Sequence, residues 1–171
     1  PKNVSTDRLN TRRRLLEKLD GSGDEILGRD AADVDRYRSL AYSMIADPKV
    51  AQALDVTREP RKVREEYGFT LFGQSTLAAR RLIEAGVKMV TCLWDDWEYT
   101  NSAWDTHNNH FPRLRGGLCP ILDQLLPTFL DDMDQRGLLD ETLVMVISEH
   151  GRTPRITKCV GGGREHWSGV Y

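Results

Sequence analysis

The chain has 171 residues, a formal net charge of -2, 29% charged residues and 39% hydrophobic residues. This length suits one domain, and the composition is that of a folded, water-soluble protein. The near-neutral charge gives no electrostatic reason to expect a nucleic acid as partner, and no apolar run approaches the roughly 20 residues of a membrane span.

The first half of the chain is predicted to be helical. Residues 5–18 look helical, with leucines among many polar residues. Apolar residues at spacings of three and four predict a second helix over 32–46, and a short helical continuation is expected over 48–54. The stretch 57–68 is strongly charged, and Val63 and Tyr67 are its expected apolar anchors. Cys92, Cys119 and Cys159 form no CxxC pair, which argues against a zinc ribbon.

The second half is predicted to alternate helices with strands. The pattern indicates a helix capped by Ser75 and ending at Ala85, a strand over 87–94, a helix from Pro120 to Arg136 and a strand over 143–148. This order is a βαβ unit with parallel strands. We therefore expect one partial α/β domain over 1–171, with a helical segment over 1–72 and a βαβ core over 73–171.

Three of the four histidines lie beside a carboxylate residue. The pairs are Asp105-Thr106-His107, Glu149-His150 and Glu165-His166. Imidazole nitrogens and carboxylate oxygens form a ligand set for a divalent metal that needs no thiolate. Because the carboxyl ends of parallel strands share one edge of a sheet, we expect the pairs to converge there.

Each of these signals also has a simpler interpretation. The pairs are equally typical of polar turns and helix caps, and the third pair follows Gly161–Gly163, a mobile or tightly turning stretch. His110 is interpreted as a supporting or exposed histidine. Arg152 either holds an anionic substrate through its planar guanidinium or pairs with a nearby carboxylate. The tryptophans either wall a pocket or cover the sheet edge: Trp94, Trp97, Trp104 and Trp167.

Five segments taken together resemble a bacterial protein family of unknown function, numbered 1501 and abundant in planctomycetes. The segments are Leu77–Val87, Trp104–His107, Gly137–Val144, Glu149–Pro154 and Gly163–Trp167. The resemblance extends over most of the chain from about residue 8 onward. The family looks like a branch of the alkaline phosphatase and sulfatase superfamily.

The resemblance implies a three-layer α/β/α sandwich with a mainly parallel sheet and a site for one or two divalent metals. By similarity, the metal ligands are Asp105, His107, Glu149, His150 and His166. The histidines favour zinc or manganese, with magnesium or calcium as alternatives. Two positions depart from the pattern, since the superfamily usually has Asp at the position of Glu149 and many family members have Phe at that of His150.

The resemblance also implies an internal fragment of a longer protein. The family's first strand, with the position of the superfamily's nucleophile, would precede Pro1, and further strands would follow Tyr171. Family members are commonly exported, although no signal peptide is recognised in this sequence. We therefore expect part of a metal-dependent hydrolase of phosphate or sulfate esters, acting on a small-molecule or carbohydrate ester. The alternative is a non-catalytic exported binding protein on the same fold.

Overall fold

The computed structural model describes residues 6–20, 33–34, 36–43, 47–94, 104–148 and 150–170. Its contacts divide the chain into two compact units, Pro1–Gln52 and Ala53–Tyr171. In the first unit, helix α1 (Thr6–Asp20) and the helical residues 36–43 confirm the helices expected there.

The remaining helices follow in chain order. They are α2 (Pro48–Leu54), a 3₁₀ turn (Val56–Arg58), α3 (Arg61–Glu66), α4 (Leu71–Glu84), α5 (His110–Arg113), a π-helical turn (Leu114–Leu118) and α6 (Cys119–Gln135). None of the helices in the described part of the chain is both long and apolar enough to cross a membrane.

The ends of α4 and α6 follow from local chemistry. Thr70, not Ser75, caps α4, because its hydroxyl accepts a hydrogen bond from the Gly73 amide at 3.0 Å. The predicted cap therefore lay five residues too late. Glycines with positive φ follow both helices, Gly86 at 95° and Gly137 at 67°, as the sequence indicated.

The core of the second unit lies between α3, α4 and α6. Tyr67, Leu77 and Leu125 are buried together, and Val63 packs against them, which confirms Val63 and Tyr67 as anchors. At one end of this core, the Arg80 side chain is fully buried. Its guanidinium contacts Glu59 at 3.0 Å, Glu84 at 2.8 Å and Asp132 at 2.9 Å.

Two further arginines extend this group of charges into a network of cations and anions. Arg136 contacts Asp132 at 2.7 Å and Glu84 at 2.8 Å, and Arg81 pairs with Glu59. The Tyr67 hydroxyl donates to Asp132 at 2.7 Å. The buried charge of Arg80 is paired with three carboxylates, which offsets part of the cost of taking it out of water.

The expected parallel sheet is absent from the described residues, so the prediction of an α/β/α sandwich was wrong. Residues 87–94 and 143–148 are not strands, and several of their apolar residues are exposed, as at Met89 (82%) and Ile147 (79%). A run of apolar residues indicates only that a segment prefers to be buried, and it does not show that another strand lies beside it. A strand forms only where a second backbone lies about 4.8 Å away to accept and donate hydrogen bonds.

Candidate metal centre

The site is built by two irregular segments, residues 104–113 and 150–170, which backbone hydrogen bonds hold together. The amide of His110 donates to the carbonyl of Gly162 at 3.0 Å, and that of Arg164 donates to Thr106 at 3.1 Å. Within the second segment, Arg152 and His166 form an isolated antiparallel bridge. These bonds place residues 105–107 beside residues 164–166 without a sheet.

The glycine triplet makes this close approach possible. Gly161 and Gly162 have φ values of 70° and 71°, a conformation that L side chains rarely adopt. A Cβ atom on Gly163 would lie 2.0 Å from the carbonyl oxygen of His107. The triplet is therefore a tight turn against the first segment, and only glycine fits at its third position.

Asp105, His107 and His166 converge on one point. His107 Nε2 lies 2.9 Å and His166 Nε2 lies 3.0 Å from the same oxygen, Oδ1 of Asp105. Counting one ligand atom from each residue, the three atoms all lie within 4.8 Å of one another, and the residues form a possible metal-binding triad. Their side chains are all partly exposed, so a ligand can reach them from solvent.

Glu165 orients the ring of His107. Its Oε2 lies 2.6 Å from His107 Nδ1, and because a carboxylate only accepts hydrogen bonds, we assign the proton to Nδ1. The hydrogen bond from His107 lowers the pKa of Glu165, so the carboxylate is ionised at neutral pH. Nε2 of the same ring lies 2.9 Å from Asp105 Oδ1, so the imidazole of His107 lies between two carboxylates.

Thr106 and His110 contact each other beside Asp105 and His107, the first two candidate ligands. Thr106 is buried, and its hydroxyl lies 2.7 Å from His110 Nδ1. Burial and the charges of Arg164 and Arg152 lower the pKa of His110, which favours its neutral form. His110 is therefore linked to the segment that carries Asp105 and His107 through its contact with Thr106. Apart from its position between two ligands, no sequence signal identifies Thr106.

Arg152 and His150 lie at the edge of the triad. Arg152 Nη2 is 2.6 Å from Asp105 Oδ1, and its Nη1 donates to the carbonyl of Arg164 at 3.2 Å. The His150 ring stacks on that of His166, with centroids 5.1 Å apart. His150 thus adjoins the site without belonging to the triad, and Glu149 lies outside the described residues.

The charge of Asp105 suits a cation. Burial raises the pKa of its carboxyl, but hydrogen bonds from His166 and Arg152 outweigh this effect and hold the pKa below its ordinary value. Asp105 is therefore an anion at neutral pH, surrounded by two imidazoles and one guanidinium.

The donor set fits one divalent ion. In tetrahedral zinc coordination, ligand atoms lie about 3.3 Å apart. The separations between Asp105 Oδ1 and the two Nε2 atoms, 2.9 and 3.0 Å, lie within a few tenths of an ångström of that value. Three protein ligands leave a fourth position for water or substrate, as in catalytic zinc sites.

Searches of curated proteins and of solved structures found no match to this chain. A family model does match, over residues 1–171, and its description is "Protein of unknown function (DUF1501)". The match spans the whole chain and includes every residue of the triad and both segments that carry it. The chain therefore belongs to the DUF1501 family.

Proposed function

We propose that the protein is part of a metal-dependent hydrolase of phosphate or sulfate esters. One observation carries the proposal: the Nε2 atoms of His107 and His166 face a single oxygen of Asp105. Glu165 holds the other ring nitrogen of His107, Nδ1, so that Nε2 faces that oxygen. Metal-ligating histidines commonly donate their second ring N–H to a carboxylate in this way, which fixes the tautomer and raises ligand basicity.

A divalent ion held by the triad would polarise an ester oxygen and lower the pKa of a bound water. In hydrolysis, the water oxygen bonds to phosphorus or sulfur as the bond to the alcohol oxygen breaks, and the alcohol leaves with a proton. Arg152 lies beside the triad, where its permanent charge and planar fork suit the anionic group of an ester. The two imidazoles favour zinc or manganese over magnesium or calcium.

The proposal includes the relationship to alkaline phosphatases and sulfatases, and with it an exported protein. What supports this relationship is the chemistry of the site: an Asp and a His in one segment and a later His in another, all directed at one point. The proposal does not depend on the sheet of that superfamily, since the loop contacts alone bring the ligands together.

Turnover of 4-nitrophenyl phosphate and 4-nitrophenyl sulfate by the full-length protein, with zinc or manganese added, tests the proposal. Asp105→Asn should lower metal-dependent turnover by about 100-fold, because it removes the negative charge of the ligand set. Asp123→Asn is the matched control, since Asp123 is exposed on α6. Turnover that is insensitive to chelator, or equal in both variants, would sink the proposal. Metal binding without any turnover would favour the non-catalytic alternative.

A further inference from the structure

An open groove of about 370 Å³ adjoins the metal triad. Residues 153–157 form one side, and Glu165 and Trp167 complete the lining. Most of the lining is apolar. A groove of this kind suits an organic group with an apolar face better than a second anion.

Glu165 belongs to both the groove and the metal site. Its Oε2 contacts His107, and its Oε1 accepts a hydrogen bond from the Thr157 hydroxyl at 3.2 Å. A single side chain therefore separates the groove from a triad ligand. The organic part of an ester whose anionic end lies at the triad can therefore reach the groove past this side chain.

Trp167 presents a fixed aromatic surface to the groove. Its amide donates to Gly151 at 2.9 Å, and its carbonyl accepts from Val170 at 3.2 Å. Its indole lies so close to Gly169 that a Cβ there would be 3.2 Å from Nε1. Even so, 43% of the residue is exposed, and it belongs to the lining of the groove.

The opposite wall is equally well held. Residues 153–156 bulge out between two antiparallel bridges, Arg152 with His166 and Thr157 with Gly163. Within the bulge, the Thr153 hydroxyl donates to the carbonyl of Arg155 at 3.0 Å. Both walls are therefore fixed before a ligand arrives, which reduces the entropy cost of binding.

We propose that this groove is the leaving-group subsite of the metal centre, and that it binds the apolar face of a ring against Trp167. The inference rests on the proposed hydrolase function, whose substrates it narrows to ring-bearing esters. The ring is that of an aryl group or a sugar, which share an apolar face. Esters of short acyclic alcohols would leave the groove unfilled.

The test compares kcat/KM for phenyl phosphate, glucose 6-phosphate and ethyl phosphate, and for the matching sulfates. Trp167→Ala should lower kcat/KM about tenfold for the ring-bearing esters, consistent with the loss of one aromatic contact, and leave the ethyl esters within about twofold. Trp167→Phe keeps an aromatic face and should retain most of the wild-type value. The comparison of aryl and glucose esters identifies which ring the groove prefers.

An equal fall for all esters in Trp167→Ala, or no fall for any, would overturn the proposal. A second measurement separates its failure from that of the hydrolase function. Phenyl glucoside is neutral and carries both kinds of ring, so its binding, measured by saturation-transfer NMR, should persist in chelator and disappear in Trp167→Ala. Absence of binding to the wild type would overturn the groove proposal. Binding without turnover would overturn the hydrolase function instead.

Discussion

Glu165 Oε2 lies 2.6 Å from His107 Nδ1, which makes this carboxylate the partner of a histidine in the proposed metal triad. Glu165→Gln replaces the charge with a neutral acceptor, and Glu165→Ala removes the acceptor. We expect the zinc affinity to fall about 10-fold in the first variant and about 100-fold in the second, as for other outer partners of ligating histidines. Competition for zinc between the protein and a fluorescent chelator measures this affinity.

Glu141→Gln is the matched control for this pair, because Glu141 is an exposed glutamate outside the site. Its zinc affinity should equal that of the wild type. If Glu165→Ala binds zinc as tightly as the control does, Glu165 has no part in orienting His107.

The buried hydroxyl of Thr106 is expected to hold the segment between Asp105 and His107 in place. Thr106→Val keeps the shape but removes the 2.7 Å contact with His110, so the free energy of unfolding should fall by about 1 kcal/mol. Zinc affinity should fall severalfold as well, because both ligands lose support. Urea denaturation and zinc titration measure these effects. Thr106→Ser retains the hydroxyl, and an equal loss in both variants would argue against this role.

The contact between Gly163 and His107 predicts a strong effect of a single methyl group. In Gly163→Ala, the new Cβ would lie 2.0 Å from a backbone oxygen, so the chain must shift. Overpacking of this kind costs about 1–3 kcal/mol, and the shift should also weaken zinc binding. Gly116→Ala is the matched control, since no atom lies within 4 Å of its Cβ position. Comparable stability and zinc affinity in the two variants would contradict the close approach.

The charge network around Arg80 predicts a loss of stability in acid. Burial raises the pKa values of Glu59 and Asp132, but hydrogen bonds and charges from neighbouring arginines outweigh burial and hold both below their ordinary values of 4.5 and 3.8. A carboxylate whose pKa is lower in the folded than in the unfolded protein stabilises the folded state at pH values above its unfolded-state pKa. This stabilisation is therefore lost as the pH falls below about 4.5. Urea denaturation between pH 7 and pH 3 measures it.

Arg80→Met removes the buried cation and leaves its carboxylates with fewer partners. We expect the free energy of unfolding at pH 7 to fall by about 3 kcal/mol and the further loss in acid to become smaller. Arg61→Met, at a side chain that is 83% exposed, should stay within about 0.5 kcal/mol of the wild type. If the free energy of unfolding of Arg80→Met falls in acid as much as that of the wild type, the charge network does not cause the loss of stability in acid.

The sequence predicts the helices well because apolar spacing and capping residues act locally. The end of α4 before Gly86 and the first turn of α6 at Pro120 are examples. The strands over 87–94 and 143–148 were wrong because pairing depends on a distant backbone, which an apolar pattern does not report. The Arg80 network was missed, although opposite charges four residues apart, at 80 and 84 and at 132 and 136, are a signal for part of it.

For the candidate site, two of the three acid–histidine pairs lie in segments that meet in the structure, but not by the route that the sequence predicted. Convergence was expected at the edge of a parallel sheet, whereas the structure achieves it through the turn at Gly161–Gly163. Asp105, His107 and His166 come together. Glu165 was noticed as a member of a pair but not as the partner of His107, because a contact between residues 58 positions apart leaves no local pattern.

The metal content of the protein tests the central claim most directly. Protein loaded with zinc or manganese and then dialysed should carry about one ion per chain by elemental mass spectrometry, because the triad forms one site. The double variant His107→Ala/His166→Ala, checked for folding by circular dichroism, should carry none. Equal metal content in the two proteins, or none in the wild type after loading, would contradict a metal centre at Asp105, His107 and His166.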